Sequence, residues 1–126
     1  RSISRTVSER DVELFGEGSS DHNPVHFDEE YARNTVFKGR VAHGVLSISY
    51  ISALLGNEMP GPGTIFLSAT VHFKAPVRIG DTVVTTCMVR EIGERRRVTF
   101  DCVCKVGDTV VVEGEALVLA PARPKA

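Results

Sequence analysis

The densest set of reactive groups in the chain is Asp21-His22-Asn23-Pro24-Val25-His26. A carboxylate and an imidazole at this spacing, bent around a proline, can converge on one water or one substrate atom. Such a pair serves as general acid and general base near neutral pH. Asn23 suits the bend, because its side chain can hydrogen-bond the backbone two residues on. On spacing alone a plainer reading stands beside this one, with Asp21 capping the turn and both histidines on the surface. A second feature, Arg40-Val41-Ala42-His43-Gly44, precedes the most apolar run of the chain. Gly44 near a helix start leaves a bare backbone N–H at the positive end of the helix dipole. That suits a carbonyl oxygen gaining negative charge, although an ordinary helix-start glycine has the same spelling.

These groups need elements to hold them. Ser8-Glu9-Arg10-Asp11 resembles a capping box and predicts a short helix from about Glu9 to Phe15, ending among Gly16, Gly18, Ser19 and Ser20. Pro24 keeps Asp21–Asn23 out of a regular helix, and Asp28 can cap a short helix over Glu29–Arg33. Val45–Leu55, interrupted only by small serines, predicts a helix buried on nearly all sides and closed by Gly56. Met59-Pro60-Gly61-Pro62-Gly63 is a loop. Period-two alternation then predicts strands over Thr64–Phe73, Thr82–Ile92, Arg97–Val106 and Thr109–Leu119, with Gly114 a candidate bulge. Gly80-Asp81, Gly93-Glu94 and Gly107-Asp108 punctuate them as turns. A meander of long antiparallel strands must cover an apolar face, and only the Val45–Leu55 helix offers one. The fold class is therefore α+β: a single domain over residues 1–120, a curved antiparallel sheet wrapped around a long central helix. Residues 121–126 read as a tail or the start of a linker.

The chain has 126 residues, of which 42% are hydrophobic and 25% charged, the balance of one globular domain. A formal net charge of −1 argues against a nucleic-acid partner, and Arg95-Arg96-Arg97 reads as a solvated hairpin end. No apolar run is long enough for a membrane span. Cys87, Cys102 and Cys104 are an odd set in strand-like alternation, which favours buried small apolar residues in a reducing compartment over a disulfide or metal role. A cytoplasmic location is the expectation. The chain opens on Arg1 rather than Met, so an organellar one stays open.

Taken together, the segments Asp21-His22-Asn23-Pro24-Val25-His26-Phe27-Asp28 and Val41-Ala42-His43-Gly44 resemble the MaoC-like hydratase family, the hot-dog-fold R-specific enoyl-CoA hydratases and their dehydratase relatives. Ser52-Ala53-Leu54-Leu55-Gly56, Pro60-Gly61-Pro62-Gly63 and Phe73-Lys74-Ala75-Pro76-Val77 with Gly80-Asp81 extend the resemblance from about Thr6 to Leu119. The resemblance implies a hot-dog domain that forms a homodimer. It makes Asp21 and His26 the catalytic pair, Gly44 the oxyanion-hole donor, and Ser52, Asn23 and His43 supporting residues; His22 falls at a variable place. The implied reaction is reversible syn addition of water to a trans-2-enoyl-CoA, giving the (R)-3-hydroxyacyl product, with no metal or other cofactor. The nearest alternative is a 3-hydroxyacyl-ACP dehydratase of fatty-acid synthesis. Arg33, Lys38, Arg40, Lys74 and Arg78 could meet either CoA phosphates or an acidic carrier protein. A hot-dog thioesterase and a non-catalytic acyl-binding module are the remaining alternatives. The acyl pocket is expected along the central helix, near Tyr50, Ile51, Leu54 and Leu55, with core packing an equal alternative for each. A zinc site built from Asp21, His22 and His26 matches no closed zinc spacing.

Overall fold

A computed structural model describes residues 1–122; of the expected tail, residues 123–126 lie outside the described residues. Five antiparallel strands form one sheet in the order β1-β3-β4-β5-β2, and the long helix α4 packs on one face of it. The strands β3 (Thr82–Ile92), β4 (Arg97–Val106) and β5 (Thr109–Leu119) have the bounds that alternation and turn glycines predict. β2 spans Ile65–Phe73. Alternate residues are buried in the first half of β3, Val83, Thr85 and Cys87, and along β4 from Val98 through Phe100 and Cys102 to Cys104. All but Thr85 meet Leu46, Tyr50, Ile51, Leu54 and Leu55 from α4 in one apolar core. All three cysteines are free and buried. Among the described residues no helix is long and apolar enough to cross a membrane.

Several expectations give way to packing. β1 (Ser2–Thr6) pairs antiparallel with β3, although its Ser-Ile-Ser-Arg-Thr sequence carries one apolar residue. The helix α1 runs from Glu9 through Gly16 and Gly18 to Ser19, and Ser20 closes it in the left-handed region at φ 65. Gly16 lies inside it, and a Cβ there would come within 2.7 Å of the Phe27 ring, so this close approach calls for glycine. α4 spans Gly44–Asn57, so Gly56 lies within the helix and Glu58 caps it, its N–H bonded to the Leu54 carbonyl. α4 is not buried all round: Val45, Ser49 and Ser52 are exposed, because a single sheet covers a single side. Gly114 is no bulge. It keeps register with Cys102 and Val71, and a Cβ there would strike the Thr70 carbonyl oxygen at 2.0 Å. The register slips instead at Leu67, Arg90 and Val111.

Candidate active site

The site is assembled between α1 and the start of α4. Two short helices, α2 (Pro24–Phe27) and α3 (Glu29–Arg33), follow α1. Asn23 caps α2: its Oδ1 accepts from the Val25 N–H at 3.3 Å, while its own N–H donates to Asp21 Oδ1 at 3.2 Å. Pro24 starts the turn, where its missing N–H costs nothing. His26 therefore rides on one turn of helix rather than an open loop, and it is buried.

The state of His26 follows from its partners. Its Nδ1 lies 2.8 Å from the Val41 carbonyl oxygen, which can only accept, so Nδ1 carries the hydrogen and Nε2 presents a lone pair. Burial pushes the imidazole below its ordinary pKa of 6.5, with the Val41 bond and nearby Asp21 opposing and His43 adding to the lowering. His26 is thus a neutral acceptor at pH 7. The Arg40 Nε–H bonds the His26 carbonyl at 2.8 Å, and its guanidinium clasps Glu9 at 2.7 and 3.1 Å. Arg40 consequently braces the loop. Arg78 is likewise occupied, donating to the Phe37 and Arg40 carbonyls. Of the basic residues raised as candidates for phosphates or a carrier, Lys74 stands on the cavity wall, half-exposed and 3.3 Å from Glu113.

His43, the N-cap residue of α4, comes into the same cluster. Its Nε2–H donates to the Asp21 carbonyl at 3.0 Å, and its ring stacks on His26 with centroids 3.9 Å apart and planes at 29°. Phe15 and Phe27 enclose it at 4.7 and 5.6 Å, and its buried Nδ1 has no partner among the described residues. Asp21, His26 and His43 bring one donor atom each within 4.8 Å of the others. That set suits a metal poorly. An imidazole lone pair lies in its ring plane, and an ion ~2 Å from each nitrogen would sit well outside the planes of two rings stacked this way.

A cavity of about 460 Å³ opens beside His26, walled by Gly44 and Ser47 of α4, Phe73 and Lys74 at the end of β2, and Val77 and Val112. As first residue of α4, Gly44 has an N–H without an intrahelical acceptor. A Cβ at Gly44 would lie 3.0 Å from the Phe73 ring. Tyr50, Ile51, Leu54 and Leu55 are packed into the core and do not line this cavity. Ser52 is exposed on α4 and is not on this wall. His22 is exposed. The residue missed is Ser47, buried on the wall one turn beyond Gly44; its i+3 spacing from that glycine was the available signal. A slightly larger groove, about 490 Å³, crosses the sheet's outer face near His72 and Arg90, away from this cluster.

With this geometry in place, comparison with known proteins gives a consistent result. The family model described as "MaoC like domain" matches residues 1–101. The (R)-specific enoyl-CoA hydratase of Rhodospirillum rubrum is 52% identical over 123 residues, covering 97% of this chain and 85% of its own. The 3-hydroxybutyryl-CoA dehydratase of Methylorubrum extorquens is 46% identical, covering 98% of this chain and 80% of its own. Among solved structures, the (R)-hydratase from A. caviae involved in PHA biosynthesis superposes with a TM-score of 0.92 at 34% identity, over 96% of this chain and 93% of that one.

Proposed function

The chain belongs to the MaoC-like domain family, and from that membership and the geometry of its site we propose that it is an (R)-specific enoyl-CoA hydratase. It is a hydro-lyase that adds water reversibly to a trans-2-enoyl thioester. The observation that carries the reading is the bare Nε2 of neutral His26, held beside Asp21 at a cavity whose wall includes Gly44.

A water held by the pair donates one hydrogen to the Asp21 carboxylate and one to His26 Nε2, leaving an oxygen lone pair for Cβ. As the C–O bond forms at Cβ, the π electrons move onto the thioester oxygen. The Gly44 N–H, at the positive end of α4, meets that charge, and a donor of this kind is worth ~10²–10³ in rate. The proton released by the water is held by the pair and returned to Cα as the enolate collapses, so atoms and charge balance without a cofactor. Delivery of oxygen and proton from one side makes the addition syn. His43 and Arg40 hold the pair through the carbonyls of Asp21 and His26.

The reading extends to a homodimer. Among the described residues β2 pairs with β5 alone, and its Ile65, Leu67 and Phe73 are exposed, as is Val45 of α4, a liability that edge pairing removes. Sedimentation at twice the monomer mass is expected; a monomer at assay concentration overturns this part. The activity test is loss of enoyl absorbance with crotonyl-CoA, followed by chiral analysis of the product. Turnover to (R)-3-hydroxybutyryl-CoA supports the proposal. Release of free CoA thiol with enoyl absorbance intact points to a thioesterase instead.

A further inference from the structure

We propose that Cys87 and Cys102 form a latent disulfide site, a covalent modification closed by exchange with a small disulfide of the oxidised-glutathione class. The inference stands independently of the hydratase reading. The two residues face each other across β3 and β4, buried in the core with their sulfurs 3.5 Å apart. The main chain fixes what kind of pair they are. The Cys87 N–H bonds the Arg1 carbonyl at 2.9 Å, and the Cys87 carbonyl accepts from the Arg1 nitrogen at 3.1 Å. Both main-chain groups of Cys87 therefore point toward β1, which leaves Cys87 and Cys102 a non-hydrogen-bonded pair on the β4 side. Pairs of this kind hold their Cα atoms about 4.5 Å apart, inside the ~4.4–6.8 Å that a disulfide spans. From 3.5 Å the sulfurs move about 1.5 Å closer to reach the ~2.05 Å of an S–S bond.

The same geometry excludes the third cysteine. A disulfide holds its Cβ atoms ~3.5–4.5 Å apart. Cys104 follows Cys102 by two positions on one strand, about 6.7 Å away, and lies diagonal to Cys87 at about 7–8 Å. Its sulfur sits 3.4 Å from Oγ1 of Thr85, its own cross-strand partner. Access comes from the edge of the sheet. The strand β4, carrying Cys102, is enclosed between β3 and β5, whereas the outer edge of β3 is covered by β1. β1 is five residues long with Ile3 alone half-buried, a short edge element of the kind that opens locally before the fold is lost. When β1 opens, the Cys87 thiolate attacks one sulfur of the small disulfide and expels the other as a thiolate. The Cys102 thiolate then attacks the Cys87 sulfur and expels the second small thiolate. Two protein thiols give up two protons and two electrons, and one small disulfide takes them up as two thiols.

The test incubates the folded parent protein with oxidised and reduced glutathione at set ratios, then alkylates free thiols and maps the peptides. A Cys87–Cys102 cross-link is expected, with a mass loss of about 2 Da for two hydrogens, Cys104 alkylated and far-UV circular dichroism unchanged. Folding has already brought the sulfurs together, whereas an unfolded chain must close a loop between residues 15 apart. The effective concentration of one thiol at the other should therefore be at least about tenfold higher in the folded protein than in urea. Ile3→Ala, which loosens β1, should speed cross-linking several-fold, and Cys104→Ser should cross-link as the parent does. Three alkylatable thiols at oxidising ratios, a mixed disulfide that never closes, a cross-link through Cys104, or equal effective concentrations in the folded protein and in urea overturns the proposal. A rate unchanged in Ile3→Ala overturns the route through β1.

Discussion

Exchanging His43 for leucine separates the forces that order the proposed catalytic pair from those that hold the fold. The two side chains are close in volume, so the core around Phe15 and Phe27 keeps its packing. Two polar atoms disappear, with opposite consequences. The Nε2–H bond to the Asp21 carbonyl at 3.0 Å is lost. A hydrogen bond of this kind is worth about 1 kcal/mol net, and half-buried Asp21 leaves its carbonyl within reach of water. The partnerless buried Nδ1 also goes, and such an atom costs the fold about 1–3 kcal/mol. The terms run from cancelling to a net gain, so stability should hold or rise by up to about 2 kcal/mol, or about 8 °C in Tm. Activity has no such compensation. The Asp21 backbone loses its anchor and His26 loses the ring stacked 3.9 Å away, and a displacement near 1 Å costs about 10² in rate. Urea unfolding and crotonyl-CoA kinetics on the same preparation read both quantities. In His43→Gln, whose amide can still donate toward the Asp21 carbonyl, part of the rate should return. A leucine variant that keeps kcat within about threefold of the parent would refute the assignment of His43 as a positioning residue. So would a rate that falls only in step with the unfolded fraction.

Three further outcomes follow from the same geometry. Asp21→Asn and His26→Ala should each lower kcat ~10²–10⁴-fold with far-UV circular dichroism unchanged, whereas exposed His22→Ala should match the parent. Because burial holds His26 below 6.5, the acidic limb of the kcat/KM profile should fall below pH 6.5. The sign for stability is the same: the neutral ring's contribution is complete above 6.5 and is lost as pH falls through the lowered folded-state value. A limb above 6.5 contradicts the assignment, and calorimetry across that window reads the stability change. Gly44→Ala places a methyl 3.0 Å from the Phe73 ring. Phe73 is half-exposed and can swing aside, so Tm should hold or rise with the better helix former while kcat/KM falls about tenfold; a fall in Tm of several degrees would show a rigid ring instead.

What the sequence disclosed, and what it withheld, divides along the kind of interaction involved. β3, β4 and β5 were legible to the residue because alternation and turn glycines are properties of side chains in order. β1 was not, since Ser-Ile-Ser-Arg-Thr owes its strand state to pairing with Thr82–Thr86, far along the chain. The apolar face of α4 was legible as apolar, but nothing local says which of its residues meet the sheet and which the cavity. Tyr50, Ile51, Leu54 and Leu55 went to the core, and the wall went to Gly44 and Ser47. The site repeats this division. Asp21, His26 and Gly44 are recognisable because the proposed chemistry requires those residue types. The bonds that orient them run to main-chain oxygens: His26 to Val41, His43 to Asp21, Arg40 to His26. Every residue type offers that oxygen, so the acceptor's identity leaves no mark in the sequence. The loop carrying the proposed acid and base is thus tied to the segment before α4 by contacts of which only the donor side chains can be read.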